Sequence, residues 1–144
     1  MKMMKLAALG SVAIALTACQ NSDPDDINEP TGAEDGTTAT WQLVNDDVTV
    51  ESASLEIGVM RVECAGGVTG RVLTPDITYN DDQIIIEALV ERLPDSQYNC
   101  QGNDVVPIEV QLDEPVGDRE LVDGICISGG GGDCTADGVR WPAP

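Results

Sequence analysis

The residues of this chain best equipped for covalent chemistry are five cysteines: Cys19, Cys64, Cys100, Cys126 and Cys134. Much of the usual catalytic repertoire is missing beside them. Histidine is absent from the sequence, and no lysine follows Lys5. That removes Ser-His, Cys-His and Ser-Lys nucleophiles, Schiff bases and histidine metal ligands from everything downstream. There is no G-x-S-x-G elbow, no P-loop and no dinucleotide glycine fingerprint. The run Gly129-Gly130-Gly131-Gly132 lacks the strand-to-helix setting of a phosphate cradle, so it reads as a loop. Carboxylates remain available for acid–base work on glycosides, but 26 of them bring close pairs together by chance. No catalytic residue, metal ligand or cofactor is assigned.

The four cysteines after Cys19 admit three disulfide pairings. Cys64–Cys100 with Cys126–Cys134 is preferred, because the second link closes the flexible glycine loop, which requires no other order. On the chain-entropy model these links contribute roughly 3.8 and 2.6 kcal/mol. Zinc is the alternative use of four thiolates, but the C-x-x-C pairs it favours are absent. Two further side chains invite a role. Arg119, within Gly117-Asp118-Arg119-Glu120, would form a buried pair if its loop folds inward, but the expected reading is a surface turn with a weak ion pair. Trp141 is expected to close one end of a core.

The N-terminus has the layout of an export signal. Lys2 and Lys5 supply a positive start, and Leu6 to Leu16 is mostly apolar before the small residues Thr17 and Ala18. A membrane-spanning helix needs about 20 apolar residues, more than this stretch contains. Leu16-Thr17-Ala18-Cys19 resembles the lipobox of bacterial lipoproteins. The resemblance implies cleavage after Ala18, diacylglycerol on the Cys19 thiol and acylation of the new amino group. Acyl chains on Cys19 would then hold the chain in a lipid bilayer, two chains being enough for stable anchoring. It also accounts for cysteine parity, since lipidation removes the odd thiol and leaves four to pair. Gln20 stands where an aspartate would favour retention at the inner membrane of a double-membrane cell. The expected location is the cell envelope, on the outer face of the cytoplasmic membrane or at the outer membrane, where disulfides persist.

Charge narrows the partners. The formal net charge is −19, and loss of Lys2 and Lys5 with the signal leaves −21. Such a surface repels phosphate, which argues against nucleic acid, and it repels anionic headgroups. Residues 20–38 contain six acids and only Ile27 as a large apolar residue, so they read as a disordered tether on Cys19. A flexible chain of that length spans about 24 Å. The stretch 21–28 lacks the ligand alternation and central glycine of a calcium loop.

The elements that must position everything else lie in 39–144, one domain. Their apolar pattern has period two: Leu55, Ile57 and Val59 share a face, and Val106, Ile108, Val110 and Leu112 alternate with Pro107, Glu109 and Gln111. Pro107 cannot donate a ladder bond, which predicts an edge strand or a bulge. Ile84 to Val90 mixes strand and helix formers and is read as strand, joined to an extended run by the turn Asn80-Asp81-Asp82. Six to eight short strands with frequent turns predict an all-β, disulfide-containing β-sandwich of immunoglobulin-like architecture.

Arg61 to Gly70, Cys100-Gln101-Gly102-Asn103, Glu114 to Arg119, Leu121-Val122-Asp123-Gly124 and Gly138 to Trp141 together resemble a group of small uncharacterised bacterial lipoproteins. That resemblance implies no activity or site residue. The functional expectation is a membrane-anchored, non-enzymatic binding or structural module for an unidentified envelope protein or ligand. The alternatives are a carboxylate-dependent hydrolase of envelope carbohydrate and a calcium-stabilised module.

Overall fold

The computed structural model describes residues 36–131, 134 and 136–143. Cys19, the export signal and the expected tether before Gly36 lie outside the described residues. Seven strands occur in chain order: β1 Gly36–Leu43, β2 Ser54–Arg61, β3 Asp76–Tyr79, β4 Gln83–Glu91, β5 Val106–Gln111, β6 Glu120–Asp123 and β7 Val139–Trp141. A five-residue helix, α1 (Gly124–Ser128), and a short 3-10 turn (Ala136–Gly138) separate the last two. The domain is all-β. β1 begins at Gly36, inside the stretch read as tether, because Thr37 and Thr38 find partners opposite Val90 and Leu89.

The strands hydrogen-bond in the order β5-β2-β1-β4-β6-β7, with β3 on the remaining side of β4. All pairings are antiparallel except β4 with β6, which is parallel. An immunoglobulin-like sandwich is a finer statement than this mixed sheet supports. β4 is the hub. Its buried residues alternate as Ile84, Ile86, Ala88 and Val90, and neighbours on both sides complete its ladder. That pairing overrides the helix propensity of Glu87, Ala88 and Leu89. The Asn80–Gln83 turn closes as expected, Asn80 N–H donating to the Gln83 carbonyl at 2.8 Å.

Trp41, Leu55, Ile57, Val59, Ile84, Ile86, Val110 and Leu121 lie in one buried cluster. Ile77 and Tyr79 of β3 and Ile108 of β5 pack against the same cluster. The two outer strands of the antiparallel part therefore curl toward each other, and Asp113 N–H donates to the Tyr79 hydroxyl at 2.9 Å. Burying these side chains supplies the main drive to fold, about 25 cal/mol per Å² of apolar surface. Trp141 leans on this core from β7, opposite Leu121, as the sequence predicts.

Two disulfides fasten what the sheet leaves loose. Cys64–Cys100 joins segments 36 residues apart, and Cys126–Cys134 closes an eight-residue separation. This is the preferred pairing. Around the first, Asn103 Nδ2 donates to the carbonyls of Arg61 and Glu63, and Gly66 N–H donates to the Asn99 carbonyl. These irregular loops satisfy several of their polar groups through each other.

Candidate functional site

One edge of β4 is shared: β1 pairs with Ala88–Glu91, and β6 pairs with Gln83–Ile86. Continuing the β1 register past Ala39–Ala88 would set Trp41 opposite Ile86, where β6 already lies. The chain resolves this fork with side chains. Trp41 N–H donates to Asp123 Oδ2 at 3.1 Å, and the orphaned Ile86 carbonyl accepts from the Trp41 indole at 2.9 Å.

Asp123 is fully buried and collects more than that bond. Thr40 Oγ1 donates to Oδ2 at 2.7 Å, Arg140 Nη2 donates to Oδ2 at 2.7 Å, and Ile125 N–H donates to Oδ1 at 3.3 Å. The last contact makes Asp123 the N-cap of α1. Arg140 comes from β7, so one carboxylate ties β1, β6, α1 and β7 together. An ionised carboxylate accepts about four hydrogen bonds; Asp123 accepts these four, three of them at Oδ2. The adjoining hollow, bounded by Thr40, Trp41, Gln42, Gly58, Met60 and Arg140, holds about 50 Å³, space for a few waters and no larger ligand. This node is a structural keystone. Its only local sequence signal is an Asp-Gly pair, a combination common in turns.

A second buried cation also serves the frame. Arg61 continues the inward face of β2 after Leu55, Ile57 and Val59, and its side chain is 1% exposed. Its guanidinium donates to the carbonyls of Thr69 and Glu91 and to Glu63, so backbone oxygens carry much of its compensation. Arg119 is more enclosed than the surface pair expected of it, at 15% exposure. It donates to Glu114 and to the carbonyls of Pro115 and Val116, and its guanidinium lies 5.7 Å from the centre of the Tyr79 ring.

Open surface with room for a ligand flanks β5, and a further cleft of about 360 Å³ lies beside Glu63, Arg92 and Tyr98. A cleft of about 430 Å³ on the outer side of β2 and β5 includes Asn45, Asp47, Ser54, Glu56, Pro107 and Glu109. Glu56 and Glu109 are direct cross-strand partners, a like-charge arrangement that costs stability. Ser54 Oγ and Gln111 Nε2 donate to Glu109, while Asn45 Nδ2 donates to Glu56 at 3.3 Å. A second groove of about 380 Å³ runs between β5 and the segment entering β3, along Val72, Leu73, Pro75, Ile77 and Ile108. Glu109 borders both, and among the described residues neither is lined by lysine or arginine.

Among the described residues no three cysteine or carboxylate groups converge to hold a metal ion. Nor is any helix among them long and apolar enough to cross a membrane. No protein family, characterised protein or solved structure matches this chain.

Proposed function

We propose that this chain is a lipid-anchored module of the cell envelope that works by binding, its acidic β-domain presented outside the cytoplasmic membrane. One observation carries the reading. Cys64, Cys100, Cys126 and Cys134 pair among themselves, so Cys19, inside Leu16-Thr17-Ala18-Cys19, is left as the odd thiol. The disulfides suit an oxidising compartment, and the net charge of −19 favours a cationic ligand over an anionic one. The cleft beside Glu56 and Glu109 is open and acidic, which suits surface recognition better than chemistry needing water excluded.

Intact-mass analysis of the protein from its native envelope tests the anchor. The expected product begins at Cys19 and carries the mass of its acyl groups, and Cys19→Ala moves the protein out of the membrane fraction. An unmodified N-terminal cysteine, or a retained leader, would overturn the reading.

The cross-strand Glu56–Glu109 pair supports a second reading, a carboxylate-dependent hydrolase of envelope carbohydrate. It requires turnover of a polysaccharide that Glu56→Gln abolishes while binding survives.

A further inference from the structure

We infer that the free edge of β5 takes up an extended basic segment of another protein as an added strand. This rests on the reading above that the domain works by binding, and it specifies the partner.

Backbone parity shows what that edge offers. Leu112 N–H donates to the Ala53 carbonyl, which extends the register pairing Ser54 with Gln111. Even-numbered residues of β5 therefore turn their hydrogen-bonding groups toward β2, and Pro107, Glu109 and Gln111 turn theirs away. β5 ends the strand order, so among the described residues no strand meets that side. It offers the N–H groups of Glu109 and Gln111 and the carbonyls of Pro107, Glu109 and Gln111. Pro107 blunts one end, a common edge defence, but leaves the rest open. At the other end Asp113 N–H is already taken by Tyr79 Oη at 2.9 Å. The vacant ladder thus runs from Pro107 to Gln111.

Groove and charge choose the occupant. Along this edge lies the groove of about 380 Å³, whose wall includes Val72, Leu73, Pro75 and Ile77. A strand laid there alternates its side chains, one set over that apolar wall and the other on the polar side with Glu109. On that polar side Glu56 and Glu109 oppose each other, and Asp47 borders the same cleft. Lysine or arginine at alternate positions relieves this repulsion. Self-pairing does the reverse: an antiparallel partner centred on Glu109 would set that carboxylate against its own copy. Main-chain bonds supply affinity here, and the alternating apolar and basic side chains supply selectivity.

The test titrates a capped octapeptide of alternating lysine and valine into the purified protein as the cell makes it. A glutamate–valine octapeptide is the control. Amide hydrogen exchange reads the edge directly. Bound lysine–valine peptide is expected to slow exchange at Glu109 and Gln111 roughly tenfold or more, and its affinity falls as salt rises. Glu109→Lys weakens binding roughly tenfold, while Asp95→Lys, away from both clefts, does not. Gln111→Pro removes an outward donor without touching the β2 ladder and abolishes binding. The proposal is overturned if neither amide is protected or if both peptides bind equally. It is also overturned if protection grows with protein concentration alone, since a second copy then fills the edge. Should Gln111→Pro unfold the domain, the wild-type exchange pattern still decides. Failure here leaves the mass of the Cys19 product untouched, so the two readings fail separately.

Discussion

Asp123 and Arg140 show how much one pair of residues can be asked to hold. The carboxylate is fully buried, and the arginine side chain is 12% exposed. Neither would be tolerable there alone, because burying one charge without its partner costs several kcal/mol. Asp123→Asn keeps the shape but removes the negative charge that Arg140 Nη2 meets at 2.7 Å. We expect a loss of about 3–5 kcal/mol, read as a lower urea midpoint with an unchanged slope. A loss under about 1 kcal/mol would mean that the hydrogen bonds, and not the charge, hold the node. Trp41→Phe makes a narrower cut. It keeps most of the apolar burial and removes the donor to the Ile86 carbonyl, so about 1–3 kcal/mol should go.

Between residues and the whole molecule stand the elements, and here the disulfides divide the work unequally. Cys64–Cys100 fastens two irregular loops across 36 residues, whereas Cys126–Cys134 spans eight. Replacing the first pair by alanine should cost roughly 3.8 kcal/mol and the second roughly 2.6 kcal/mol. Denaturation of the two double variants checks the order, and a reversed order would show that native-state packing outweighs loop entropy. Gly138 limits what can change near the second link. Its φ is +80°, and an added Cβ would stand 2.5 Å from the Cys126 Cβ, so alanine there must displace the helix or the 3-10 turn.

At the scale of the molecule, charge dominates. Most of the cations that could offset the acids are already committed: Arg61 to main-chain oxygens and Glu63, Arg71 to Glu91, Arg119 to Glu114 and Arg140 to Asp123. The remaining carboxylates repel one another through solvent, a cost that added salt screens. Raising sodium chloride from low ionic strength to roughly 0.15 M should therefore lift the melting temperature by about 5 °C. Circular dichroism melts would check it, and a flat response would show that the acids are spaced widely enough not to interact.

Much of the fold was legible because strand formation leaves a local trace. Alternation in Val106, Ile108, Val110 and Leu112 marks β5, and Pro107 marks it as an edge, since a residue without an N–H cannot sit in a central ladder. Cysteine number and spacing led to the observed pairing. The helix α1 leaves no periodic signal because five residues are too few to display a 3.6-residue period, and its N-cap Asp123 precedes a glycine, a pair equally at home in turns. The fork, the parallel β4–β6 pair and the burial of Asp123 left no local trace at all. Thr40 and Asp123 meet across 83 positions, and Glu56 and Glu109 face each other only because β2 and β5 chose one register. Which residues alternate is settled by neighbours along the chain. Which strands adjoin is settled by where the whole core can close, and only the folded molecule decides that.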